Sequence, residues 1–92
     1  MILSFACKET EELFLKGLNR RFAGIMRQAL RRLNILNAVI TLDELRMPPG
    51  NHLKALSGER AGRHSLRIND QWRLCFVWKD GHAHDVAIVD YH

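Results

Sequence analysis

The sequence predicts an α+β domain in which N-terminal helices pack on one face of a small, mainly antiparallel β-sheet. Two periods and two turn signals carry this reading. Between Phe22 and Leu36, large apolar residues recur at three- and four-residue steps, the pattern of a helix with one buried face. From about His64 the period falls to two, and Trp72, Leu74, Phe76 and Trp78 form one face of a half-buried strand. Asn69-Asp70-Gln71 and Lys79-Asp80-Gly81 then fold consecutive runs back as hairpins. The 92 residues make a single domain, 1–92, large enough for one core.

In chain order, Met1 to Cys7 alternates weakly and reads as a short strand. Glu9, Glu11 and Glu12 precede Leu13-Phe14-Leu15, with Lys16 and Gly17 after them. Acids at the start, a base at the end and a following glycine fit a two-turn helix. The long helix carries Phe22, Ile25, Met26, Ala29, Leu30, Leu33 and Leu36 on its core stripe. Arg27, Gln28, Arg31, Arg32 and Asn34 lie on the other face, which is either simply wet or rests on a partner. Thr41-x-x-Glu44 has capping-box spacing and suggests one more helical turn, ended by Pro48-Pro49-Gly50. The stretch 47–62 reads as a loop crossing one end of the sheet. Beyond it, Leu66 and Ile68 alternate with Arg67, and a three-residue loop pairs Ile68 with Trp72 and Leu66 with Leu74. The expected register of the last hairpin pairs Trp78 with His82, Leu74 with Val86 and Trp72 with Ile88.

Composition excludes several classes. Cys7 and Cys75 have neither CxxC nor zinc-type spacing, so reduced, buried thiols are expected. The N-terminus lacks the basic and apolar regions of a signal peptide, and no run approaches the roughly 20 apolar residues of a membrane span. A soluble cytoplasmic protein is therefore expected. Charge is uneven: residues 46–73 carry six Lys/Arg against two Asp/Glu, whereas 74–92 carry one against three. That basic segment suits a polyanion or an acidic partner, although ordinary solubility charge has the same appearance.

The candidate site follows from register. Pairing Leu66 with Leu74 sets Arg67 opposite Arg73 on the sheet face away from the helices, Cβ atoms about 5 Å apart. Two facing guanidiniums repel, and an anion between them would remove the repulsion. In the expected register Val89 and Tyr91 share that face. The chain ends at Asp90-Tyr91-His92, three groups able to carry or move protons. Beside fixed guanidiniums, such groups suit phosphodiester cleavage. Tyr91 can carry a proton, stack on a base or pack at a rim. The imidazole of His92 is of the residue type able to give or take a proton at neutral pH, and Asp90 can orient an imidazole or simply end a strand. His52, Lys54 and Arg63 are candidate phosphate contacts, in competition with plain exposure. His82-x-His84 places two rings on one strand face, but without a third ligand no metal site is expected. Gly58-x-x-x-Gly62 lacks the Lys and Ser/Thr of a phosphate-binding loop.

These motifs together resemble the HigB-type toxins of bacterial toxin–antitoxin modules, within the RelE/ParE superfamily, and especially the GraT-like branch. The resemblance spans essentially the whole chain. It rests on Ile2-x-Ser4-Phe5, Pro48-Pro49-Gly50-Asn51, Leu53 to Gly58, Arg60-Ala61-Gly62, Ile68 to Phe76 and Val89 to His92. It implies a RelE-like, microbial ribonuclease-like fold. It also implies an enzyme that enters the ribosomal A site on the small subunit and cuts mRNA without a metal or other cofactor. In that chemistry the 2′-hydroxyl attacks the adjacent phosphate while a second group protonates the departing 5′-oxygen. Carried over by motif, Tyr91 and His92 do the proton work, Asp90 holds His92 and Arg73 stabilises the phosphorane-like charge. Arg67, Lys54, His52 and Arg63 stand beside them as the candidate substrate contacts. The loop has Lys54 and Ser57 where some members carry His and Lys. A HigA-like antitoxin with a helix-turn-helix domain is implied as partner, with operator DNA bound only through it. Two other readings stay open: a ParE-like inhibitor of DNA gyrase and a non-catalytic basic nucleic-acid-binding module.

Overall fold

The computed structural model describes residues 1–47, 49–56 and 62–90. It holds two α-helices, α1 (Lys8–Lys16) and α2 (Met26–Ala38), and four strands: β1 (Lys54–Ala55), β2 (Arg63–Arg67), β3 (Trp72–Lys79) and β4 (His82–Asp90). The strands form one antiparallel sheet in the order β1-β2-β3-β4. The buried side chains of the helical half, including Leu13, Phe22, Ala29, Leu33 and Leu36, meet those of Leu66, Leu74, Phe76, Val86 and Ile88 on one face of that sheet. Alternation along each strand therefore turns the neighbouring residues, Arg67 and Arg73 among them, to the opposite face. The expected α+β layering holds.

Helix α1 starts after Cys7, whose extended backbone marks the N-cap, with Glu9 and Glu11 in its first turn. It stops at Gly17, which takes φ 79° and donates its N–H to the Leu13 carbonyl at 2.8 Å; a residue with a Cβ adopts that left-handed turn reluctantly. The helix buries Thr10 and Leu13. The long apolar stripe divides into two pieces. Phe22 ends a 3₁₀ turn, Arg20–Phe22, in which Asn19 Oδ1 accepts the Arg21 N–H at 2.9 Å, and α2 begins only at Met26. Ile25 lies outside the helical region yet stays buried, so the break at Ala23-Gly24 leaves the stripe's direction intact. The expected capping box forms at the 3₁₀ turn Leu42–Arg46, where Glu44 Oε2 accepts the N–H groups of Thr41 at 2.8 Å and Ile40 at 2.9 Å. Those donors, Thr41 first, hold the exposed Glu44 carboxyl below its usual range.

Three expectations need correction. Met1 to Cys7 is not a regular strand: Ile2 and Phe5 make isolated parallel bridges to Ala83 and Val86 of β4. Between those bridges Ser4 Oγ, not a backbone carbonyl, accepts the Asp85 N–H at 2.9 Å, because β4 bulges there. The 47–62 stretch contributes a strand, since Lys54 and Ala55 pair with Ser65 and His64; two residues are too few to show a period. The last hairpin closes with two residues, not three. Asp80 and Gly81 both take positive φ, the primed turn that suits strand twist, so Lys79 pairs with His82 and Trp78 with Ala83. The bulge at Asp85, φ 52°, adds a second one-residue offset, and Leu74 then meets Ile88, Arg73 meets Val89 and Trp72 meets Asp90. Two offsets of the same sense restore the pleat, so Val89 still faces with Arg73. Among the described residues neither cysteine forms a disulfide; Cys75 is buried as expected, while Cys7 is only half-buried.

Candidate functional site

Directly opposed residues of an antiparallel pair share a face, so the ladder pairs Lys54↔Ser65 and Arg67↔Arg73 fix the site's composition. Lys54, Arg63, Ser65, Arg67, Arg73 and Val89 all belong to the face turned away from the helices. Four of the expected phosphate-facing cations are thereby brought together on one surface. The first hairpin makes this possible: Asn69 Oδ1 accepts the N–H groups of Gln71 and Trp72, both at 2.8 Å, which closes the three-residue loop as expected.

The two opposed guanidiniums each have an acceptor, which the expected repulsion did not include. Arg67 Nη2 is paired with Asp70 Oδ1, three residues on. Arg73 Nε donates to Ser65 Oγ at 2.8 Å, and its Nη2 donates to the His52 carbonyl at 2.8 Å. Ser65 is wholly buried and diagonal to Arg73 across the hairpin, so its hydroxyl fixes the arginine's direction. The His52 bond ties the loop before β1 to the centre of the sheet face. His52 itself has φ 45°, and both it and Lys54 are exposed.

One residue earlier, Asn51 is fully buried and donates from Nδ2 to the carbonyls of Leu45 at 3.3 Å and Met47 at 3.2 Å. It anchors the loop from behind while Arg73 holds it in front. Neither Ser65 nor Asn51 stood out as a functional position. An asparagine after Pro-Pro-Gly, able to bond back to the chain, and a small hydroxyl among arginines were the available signals.

Asp90 is placed otherwise. It pairs with Trp72, so its position belongs to the helix side of the sheet, at the exposed strand end, and its Oδ2 accepts from Gln71 Nε2 at 3.1 Å. Tyr91 and His92 lie outside the described residues, as do Ser57 and Gly58; the expectation that Asp90 orients His92 lies outside them too. His82 and His84 pair with Lys79 and Val77 and share one face. Among the described residues no group of three His, Cys, Asp or Glu stands where it could hold a metal ion.

A chain with this sheet and this cationic face matches, over residues 3–92, the family described as RelE-like toxin of type II toxin-antitoxin system HigB. It belongs to the HigB-like toxin family. Its curated relatives include Toxin HigB-1 of Vibrio cholerae, 38% identical over 85 residues that cover 90% of each protein. Another is Endoribonuclease HigB of Proteus vulgaris, 33% identical over 95 residues and the full length of both. Among solved structures, the fold is similar to that in the YoeB-YefM complex from Staphylococcus aureus. There the TM-score is 0.56 at 19% identity, covering 100% of this chain and 98% of the other. A mutant of YafQ from Escherichia coli has a TM-score of 0.57 at 15% identity, covering 98% and 93%. Those two likenesses bear on the fold, which is that of RelE-family toxins. The RelE-like expectation is met.

Proposed function

We propose that this HigB-like toxin is a ribosome-dependent endoribonuclease that cuts translated mRNA in the A site and so arrests growth. The reaction uses the substrate's own 2′-hydroxyl: its oxygen bonds to the adjacent phosphorus, its proton leaves, and the P–O5′ bond breaks as the 5′-oxygen gains a proton. A cyclic phosphate remains. The nucleophile belongs to the RNA, so no water need be activated by a metal. The observation that carries the reading is the convergence of Lys54, Arg63, Arg67 and Arg73 on one sheet face of a chain that is 33% identical to an endoribonuclease.

In this reading Arg73, steadied by Ser65 and the His52 carbonyl, meets the charge that grows on the phosphate, where a fixed cation contributes most. Arg67, Lys54, His52 and Arg63 grip the neighbouring backbone. Tyr91 and His92 exchange the protons; the support is that Val89, the cross-strand partner of Arg73, precedes Tyr91 by two residues in sequence. The family is one of toxin–antitoxin modules, and an antitoxin partner goes with it. A HigA-like helix-turn-helix antitoxin, operator DNA reached only through it, the small ribosomal subunit and a cytoplasmic location complete the proposal. Among the described residues no helix is long and apolar enough to cross a membrane.

Primer extension on mRNA from cells making the protein tests this. Breaks should appear within translated codons and vanish in Arg73→Gln and in a Tyr91→Phe/His92→Ala double variant. Intact transcripts beside damaged DNA would overturn the proposal in favour of gyrase inhibition. Equal effect of parent and double variant would favour a module that binds without cutting.

A further inference from the structure

Between Leu13 and Leu42 the chain has no Asp or Glu, yet it carries Lys16, Arg20, Arg21, Arg27, Arg31 and Arg32. Lys16 and Arg21 pair with Glu12 and Glu9 of α1. Among the described residues no carboxylate lies within ion-pair distance of Arg31 or Arg32. Such an uncompensated run on α2 invites an anionic partner.

Arg32 is fixed in a particular place. Its Nε donates to the Arg67 carbonyl at 2.9 Å. Among the described residues strand β1 pairs with β2 only at Ser65 and His64, so past Ser65 the β2 edge lacks a strand neighbour there. The Ile68 N–H bonds the Trp72 carbonyl, so the alternation of an antiparallel ladder turns the Arg67 carbonyl outward, to that edge. Arg32 covers it, and of its guanidinium nitrogens only Nε is engaged among the described residues. Arg67 thus serves two surfaces: its side chain faces with Arg73, and its carbonyl holds a cation rooted in α2. Lost hydration, then the charges of Arg31 and Arg67, push the Arg32 pKa down. The carboxylate paired with Arg67, Asp70, is 97% exposed, so that pairing is weakly held and open to exchange.

We propose that Arg32 and Arg31, with Arg67, form a second phosphate-binding step, over which an RNA strand held on the Arg73 face passes round the β2 edge onto α2. The inference rests on RNA being the ligand of the sheet face, as argued above, but not on its being cut. Guanidiniums suit phosphate because they present paired donors, and contact through phosphate is independent of base sequence. An acidic protein segment is the competing occupant.

The test is equilibrium binding of the full-length protein to a short single-stranded RNA, methylated at every 2′-oxygen so that it cannot be cleaved, across a salt series. Arg31→Gln and Arg32→Gln should each reduce the slope of log affinity against log salt by about 0.7, the value for one single-strand phosphate contact. Lys16→Gln, the same charge lost elsewhere, should leave it unchanged. Arg31 is exposed and makes no hydrogen bond or ion pair among the described residues, so its variant carries the test even if Arg32→Gln unfolds. Unchanged slopes in both arginine variants overturn the proposal, and so does loss of antitoxin affinity with RNA binding intact. If the slopes fall while cellular transcripts stay whole, the second phosphate-binding step stands and the nuclease reading fails. Cut transcripts with unmoved slopes give the reverse.

Discussion

Ser65→Ala removes one atom from the support of Arg73. The Ser65 hydroxyl is wholly buried and accepts from Arg73 Nε at 2.8 Å. A hydrogen bond to a charged group contributes about 1.5–3 kcal/mol in a folded protein. The lower end applies, because Arg73 is only half-buried and keeps its bond to the His52 carbonyl. About 1.5 kcal/mol is therefore expected, which lowers the melting temperature of a domain this size by roughly 6–12 °C. If the transition state depends on the same orientation, the cleavage rate falls about tenfold, since 1.36 kcal/mol is one decade. Two assays are read together: thermal unfolding, and the time course of cleavage of a defined mRNA on purified ribosomes. A lower melting point with an unchanged rate at a temperature where both proteins are folded would show that Ser65 only packs. An unchanged melting point and rate would show that it does not hold Arg73 at all.

Thr10→Val should cost about 1–3 kcal/mol of stability, read as a lower denaturant midpoint at unchanged slope, because Thr10 Oγ1 accepts the buried Ile88 N–H at 3.0 Å and valine leaves that donor unmet. Faster hydrogen exchange at the Ile88 amide should accompany the loss; parental exchange would contradict the assignment. Glu44 has a folded pKa below its unfolded one, so it stabilises the fold above the ordinary carboxylate range and that contribution disappears as pH falls through the depressed value. Glu44→Gln should therefore separate from the parent at neutral pH and converge with it in strong acid, as read by melting temperature. A constant gap across pH would contradict the sign.

The arginine face was legible because its hairpin loop is specified by Asn69, whose side chain can close only a short turn. The second hairpin was misread because Lys79-Asp80-Gly81 supports either a two- or a three-residue loop, and the difference lies in the positive φ of Asp80, which leaves no mark in composition. The bulge at Asp85 is equally silent, since an exposed aspartate in alternating sequence looks like any outward residue. The face of Val89 came out as expected because these two misreadings compensate. The helical stripe was visible, but its break was not: Phe22 and Ile25 keep their burial through irregular backbone, so the apolar spacing does not show where the hydrogen-bond ladder stops. Arg32's reach to β2 joins residues 35 apart in sequence and had no local trace.

The seam between residues 1–6 and β4 has a consequence for assembly. The Ala83 and Val86 amides are already spent on the carbonyls of Met1 and Ser4, and among the described residues the opposite flank of the sheet offers only the two residues of β1 beside an arginine-capped carbonyl. An intruding strand from another polypeptide would find little backbone to zip onto. A protein that neutralises this toxin by extending its sheet must therefore start at Lys54–Ala55 or first peel away the amino-terminal residues; otherwise it must grip side chains.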